Sequence, residues 1–167
     1  MNFLSLFKRN LLFKLKKKVI IDRDNIKSNS LDNLFYEYGS DKANIFKHTQ
    51  KAGHGYSGYY EKKLEKFKDK KINILELGSY AGASAAAFVK YLPNSKVYCF
   101  DVNISNFKYS SKDFKVFGLD ISDKKKLDKT LKEIGVTQEY FDLIIDDGSH
   151  NLSDILFGLK YLFKYLM

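Results

Sequence analysis

The chain predicts an α/β fold, a doubly wound, mostly parallel sheet of about four strands, with a helical segment at its N-terminus. Short apolar runs that end in glycine or an acid alternate with helix-patterned stretches of ten or more residues, the rhythm of strand-helix-strand units. The residues capable of chemistry fall just past the carboxyl ends of the predicted strands, where ligands bind in such sheets.

The elements follow in order. Met1 to Ile21 sets Leu4, Phe7, Leu11 and Leu15 on one stripe of a helix. No apolar run in it approaches the roughly 20 residues of a membrane span. Its cations break the apolar core a signal peptide needs. The simplest expectation is a leader helix that packs its leucines on the body; the alternative is an interfacial helix on anionic lipid, or one docked on a partner. Ile72 to Leu77 is a short, buried-type strand that runs into Gly78, and Gly82 to Tyr91 is an alanine-rich helix halted near Pro93. Lys96 to Asp101 and Phe114 to Gly118 are the second and third strands. Asp123 to Ile134 is a helix with Ser122 as its N-cap and Gly135 past its end. Tyr140 to Ile145 is the fourth strand, and Leu152 to Met167 a closing helix. The organisation expected is a basic leader over 1–30, a helical lid segment over 31–71 and a ligand-binding domain over 72–167.

The 167 residues, 44% hydrophobic and 16% aromatic, suffice for one domain with a real core. The net charge of +9 points at first to nucleic acid or an anionic surface. Six of the 29 basic residues (Lys8, Arg9, Lys14, Lys16, Lys17, Lys18) lie before Asp22 with no acid among them, leaving 23 against 20 in the body. No specific nucleic-acid partner is therefore expected, and any contact with a membrane surface would run through residues 1–21. The single cysteine, Cys99, forms no intrachain disulfide, which fits a reducing, cytoplasmic setting, with the leader at the inner face of the membrane as a variant of it.

Three motifs carry the chemistry. In Glu76-Leu77-Gly78-Ser79-Tyr80-Ala81-Gly82, two glycines let the backbone turn sharply and a ligand approach it. Tyr80 stands where a dinucleotide fingerprint has its middle glycine, and Glu76 would repel pyrophosphate, so an NAD-dependent oxidoreductase is disfavoured. Asp101, about 20 residues further on, is placed to accept hydrogen bonds from ribose hydroxyls. Together with Glu76 it describes a nucleoside site that favours S-adenosylmethionine over NAD. In Asp146-Asp147-Gly148-Ser149-His150, two carboxylates offer hard oxygens to Mg2+, and a histidine, with an unperturbed pKa of about 6.5, can take a proton near neutrality. Each residue also has a plainer role, as a turn former, a cap or a surface side chain. Upstream, Tyr38-Gly39-Ser40-Asp41-Lys42 and His54-Gly55-Tyr56-Ser57-Gly58-Tyr59-Tyr60-Glu61 read by default as a tyrosine-rich packing loop, with a lid as the functional alternative. Zinc at His48 and His54 lacks a ligand set.

Over Leu34 to Met167 the sequence resembles the Rossmann-like class I S-adenosylmethionine-dependent methyltransferases, specifically the metal-dependent sugar O-methyltransferases, with cephalosporin-hydroxylase-like proteins similar too. The resemblance rests on Gly39-Ser40-Asp41-Lys42, on His54-Gly55-Tyr56 with Tyr60-Glu61, on the Glu76 to Gly82 turn and, above all, on Phe141 to His150. It implies a strand order of 3-2-1-4 for the four strands seen. It also implies that S-adenosylmethionine is held by Glu76, Gly78, Ser79, Tyr80, Gly82, Asp101, Asp120 and Asp146, that Asp147 ligates Mg2+, and that His150 is the general base towards a sugar or polyol hydroxyl. The family's sheet has seven strands and draws further metal carboxylates from the end of strand five. A chain ending at Met167 is thus expected to bind the donor weakly, to turn over little, and to need a second chain for the missing strands. The competing reading is a non-catalytic nucleotide-binding or scaffold fragment.

Overall fold

A computed structural model describes residues 3–167; Met1 and Asn2 of the predicted leader lie outside the described residues. The helices are α1 (Phe3–Leu15), α2 (Leu31–Tyr38), α3 (Ser57–Leu64), α4 (Ala83–Tyr91), α5 (Lys124–Ile134) and α6 (Leu152–Leu162). The central sheet consists of β1 (Ile72–Leu77), β2 (Ser95–Asp101), β3 (Phe114–Gly118) and β4 (Leu143–Asp146). All pairings are parallel and the order is β3-β2-β1-β4, the order expected.

The sheet is buried on both faces because its strands are apolar at most positions, and strand periodicity sends alternate residues to opposite sides. Ile72, Ile74, Val97 and Cys99 join Leu34, Phe35 and Phe88 of α2 and α4 in one core. Leu75, Leu77, Tyr98 and Phe100 join Leu127, Leu131 and Leu162 of α5 and α6 in the other. Each such side chain, fully buried, contributes about 1.5–3 kcal/mol. Ala85, Ala86 and Ala87 are all buried, and their small side chains let α4 lie close to the sheet. Segment 31–71 shares this core through α2, which packs on α4, Phe35 edge-on to Phe88 at 5.5 Å.

Four local expectations are corrected. Ser122 does not cap α5; the Asp123 carboxylate does, accepting from the Lys126 amide at 3.1 Å. The fourth strand begins at Leu143 and not at Tyr140, because the amides of Tyr140 and Phe141 bond the Tyr165 carbonyl at 2.9 and 2.8 Å. The closing helix stops at Leu162, and a tight turn over Phe163–Tyr165 then brings Leu166 into a parallel bridge with Phe141. The leader helix packs on the body, but not by its leucine stripe: Leu6, Asn10 and Phe13 face inward, Phe13 edge-on to Phe107 at 6.1 Å, while Leu4, Phe7, Leu11 and Leu15 are exposed.

Candidate functional site

Parallel register brings the carboxyl ends of all four strands to one side of the sheet. Leu77 lies opposite Phe100 and Asp146, so the turn after β1 sits between the ends of β2 and β4. The Gly78 amide donates to the Phe100 carbonyl at 2.8 Å, and the Asp147 amide to the Leu77 carbonyl at 3.0 Å. Gly78 is required here: its φ is +78°, and a Cβ would lie 2.6 Å from the Asp147 carbonyl carbon. Tyr80 follows with φ +42°, a left-handed backbone that an L-residue rarely adopts. Its amide is held by Asp101 Oδ2 at 2.7 Å, and the other oxygen of that carboxylate takes the Asn103 amide at 2.5 Å.

Two cavities open on either side of this turn. The first, about 460 Å3, is walled by Leu77, Phe100, Leu119 and Ile121 and carries the carboxylates of Asp101 and Asp120. Apolar walls suit a flat base, and the Asp101 oxygens, each accepting one amide and keeping a second lone pair, suit ribose hydroxyls. The donor set therefore fits an adenosyl group. The second, about 530 Å3, lies over the start of α4, where Ser79 and Ser84 meet Asp41, Lys42, His48, His54 and Tyr56 from the segment before β1, together with Asp147 and His150. Gly78, Tyr80 and Asp147 line both cavities, so a ligand crossing the turn reaches each of them.

Seven of the predicted site residues thus converge: Gly78, Ser79, Tyr80, Asp101, Asp120, Asp147 and His150. Three line neither cavity. Gly82, with φ +76°, caps α4, and a Cβ there would clash with the Phe107 ring. Asp146 is opposite Leu77 and turns towards α6, its Oδ1 taking the Gly148 amide at 3.2 Å. Glu76 faces α4 from inside the sheet and is fully buried beneath the second cavity. One of its oxygens takes the Ser84 hydroxyl and the other has no hydrogen-bond partner among the described residues.

Lys42 had a motif but no role in the sequence, and the structure supplies one. Its side chain, 5% exposed, pairs with Asp147, which is 41% exposed. Burial opposes the ammonium charge, yet Glu76 and Asp147 outweigh it and hold Lys42 above the ordinary lysine value. Burial in turn pushes the Glu76 carboxyl up, against the pull of Lys42, Ser84 and Ser79. The signal was the cluster Gly39-Ser40-Asp41-Lys42; what could not be read from it was a contact spanning 105 residues.

The segment before β1 is built to face the site. Asp32 Oδ1 takes both the Asn44 amide and the Ser57 hydroxyl at 2.7 Å, and the His54 and Tyr56 amides return to the carbonyls of Asp41 and Lys42 at 2.7 and 3.0 Å. His54 stacks on Tyr56 at 5.4 Å, and its imidazole lies 3.4 Å from Asp41. It lines the second cavity, beyond the packing role expected of it. Among the described residues no group of three or more metal-ligating side chains occurs, at His48 and His54 or elsewhere.

A four-stranded parallel sheet with a glycine turn after β1, an acid closing β2 and an Asp-His loop after β4 defines a class I S-adenosylmethionine-dependent methyltransferase. The profile of the FtsJ-like methyltransferases matches residues 60–158, and the chain belongs to that family. It is 28% identical over 143 residues to L-olivosyl-oleandolide 3-O-methyltransferase of Streptomyces antibioticus, covering 81% of this chain and 34% of that protein. Among solved structures it is similar in fold to the MycE methyltransferase from the mycinamycin biosynthetic pathway. In complex with Mg, SAH and mycinamycin VI the match has a TM-score of 0.67 at 20% identity, over 84% of this chain and 37% of that one. In complex with Mg and SAH the score is again 0.67 at 20% identity, over 85% and 38%. The chain spans little more than a third of these relatives' length.

Proposed function

We propose that the chain binds S-adenosylmethionine across the Gly78 turn and presents His150 to a sugar or polyol hydroxyl, as part of an O-methyltransferase. The observation that carries this reading is the shared wall of the two cavities: a nucleoside-type site with Asp101 and Asp120 joins, at Tyr80 and Gly78, a polar site holding Asp147 and His150. The relative that matches in sequence is named for 3-O-methylation of an olivosyl group, which favours a sugar hydroxyl as the acceptor.

When bound, S-adenosylmethionine supplies an electrophilic methyl group and leaves as a neutral thioether. The protein's part is to position and to move a proton. Asp101 holds ribose hydroxyls, the region around Asp120, with Leu119 and Ile121, holds the adenine, and the Gly78–Tyr80 turn fixes the donor against the second cavity. His150 takes the acceptor hydroxyl's proton as the oxygen attacks. Glu76 supports the turn from below. Among the described residues the second cavity offers Mg2+ the carboxylates of Asp147, already paired with Lys42, and Asp41, beside His54. Among the described residues they do not by themselves build a cation site.

Calorimetric titration of the chain with S-adenosylhomocysteine tests the donor site: binding is expected, weakened at least about tenfold in Asp101→Ala and Asp120→Ala. An absence of heat, or no change in either variant, overturns it. His150→Ala is expected to bind S-adenosylhomocysteine normally and to abolish methyl transfer to a glycoside acceptor; retained transfer overturns the base assignment. A second reading, a chain that holds the donor without turning over alone, is favoured by the grip of Lys42 on Asp147, and predicts binding with no transfer from the wild type.

A further inference from the structure

We propose that α1 is a docking surface for an anionic lipid bilayer, independent of the methyl-transfer reading. Its orientation on the body is fixed by contacts that leave the apolar stripe out. Leu6 and Phe13 face inward, Asn10 Nδ2 donates to the Gly118 carbonyl at 3.4 Å, Arg9 donates to the Val102 carbonyl at 3.1 Å, and Lys16 to the Ser105 carbonyl at 3.1 Å. These anchors all sit on one half of the helix. On the other half Leu4, Phe7, Leu11, Leu12 and Leu15 are exposed, Leu4 by 72% and Leu15 by 74%. At 100° per residue these five fall within one arc of about 140°, with Lys8 inside it and Lys14 at its rim. Val19 and Ile20, just past the helix, are exposed as well. Lone exposed leucines are ordinary; a continuous stripe of this kind marks a surface that something covers.

Charge selects the occupant. Residues 1–21 carry six cations and no acid, and Lys8, Lys14 and Lys17 are exposed among the apolar side chains. Two copies of such a surface repel each other, which disfavours self-association through this face. A bilayer with anionic headgroups satisfies both features at once: leucine and phenylalanine enter the acyl boundary, and lysines stay at the phosphates. Among the described residues no helix is long and apolar enough to cross a membrane, so the contact lies in the interface plane. The anchor of Arg9 is the carbonyl of Val102, which lines the nucleoside-type cavity, so the inward half of α1 borders that site while the docked face is turned away from it.

Flotation of the full chain with vesicles tests this. Phosphatidylcholine vesicles containing phosphatidylglycerol are expected to bind at least about tenfold more protein than pure phosphatidylcholine at low salt, and to lose that preference at high salt. Leu11→Ser with Leu15→Ser is expected to weaken binding to the mixed vesicles about tenfold, while S-adenosylhomocysteine affinity and circular dichroism stay unchanged. Lys8→Glu with Lys14→Glu is expected to remove the anionic preference. Equal binding to both vesicles, no effect of either double variant, or no binding at all overturns the proposal. Absence of binding with a concentration-dependent dimer in sedimentation, abolished by Leu11→Ser with Leu15→Ser, assigns the face to a second copy and overturns it too.

Discussion

Removing the Lys42 ammonium should unbalance the floor of the site more than any single change to the cavity walls. Lys42→Met keeps the length of the side chain and deletes its charge, leaving Glu76 fully buried with no cation beside it and Asp147 without its partner. Breaking one side of a buried ion pair costs about 3–5 kcal/mol. Two features place this case at the low end: Asp147 is 41% exposed and regains water, and Glu76 can neutralise itself by taking a proton. The expected loss is therefore about 3 kcal/mol near neutral pH. Urea unfolding followed by circular dichroism gives it as a fall in midpoint at unchanged m-value. Adding Glu76→Gln removes the stranded charge, so the double variant should recover to within about 1 kcal/mol of wild type. A loss below about 1 kcal/mol in the single variant, or a double variant as unstable as the sum of the two singles, refutes the claim that Lys42 balances Glu76.

Other changes probe the same turn. Gly78→Ala forces a methyl group into the Asp147 backbone and should cost about 3 kcal/mol in urea unfolding; a loss below about 1 kcal/mol would show that the two loops separate readily. Tyr80→Gly relieves a left-handed backbone at φ +42° and should raise stability by up to about 1 kcal/mol while weakening S-adenosylhomocysteine binding; a thermal midpoint lower than wild type contradicts it. Because burial holds the folded pKa of Glu76 above its ordinary 4.5, the native state retains a proton that the unfolded chain has released. Its contribution to stability is present below pH 4.5 and is lost as pH rises towards the folded value. Glu76→Gln should flatten that decline, read as urea midpoints at about pH 5 and about pH 7, whereas an unchanged slope points to another group.

What was legible in the sequence was whatever a short stretch decides alone. Ile72–Leu77 is mostly apolar and stops at Gly78, so strand, burial on both faces and turn could be read together. Asp101 and Asp120 were legible for the same reason: strand ends predict where a site falls. Choices made by a distant partner were not. The stripe of Leu4, Phe7, Leu11 and Leu15 announces an amphipathic helix, but which side packs depends on Gly118 accepting Asn10 and on Phe107 receiving Phe13. Tyr140 and Phe141 have strand chemistry, yet their amides belong to Tyr165. Glu76 and Asp147 were legible as acids near a turn, while their shared cation arrives from Lys42, far upstream.

The contact between Gly78 and the Asp147 peptide ties the fate of two loops together. Since no atom can be added between them, a substitution that shifts one loop must shift the other, and selection acts on the pair as a single heritable unit. The wall contributed by Asp41, Phe46, His48, His54 and Tyr56 comes from a separate segment before β1, joined to that pair of loops by the Lys42 side chain on Asp147. Drift in ligand preference should accumulate there first, over a donor cradle that stays fixed.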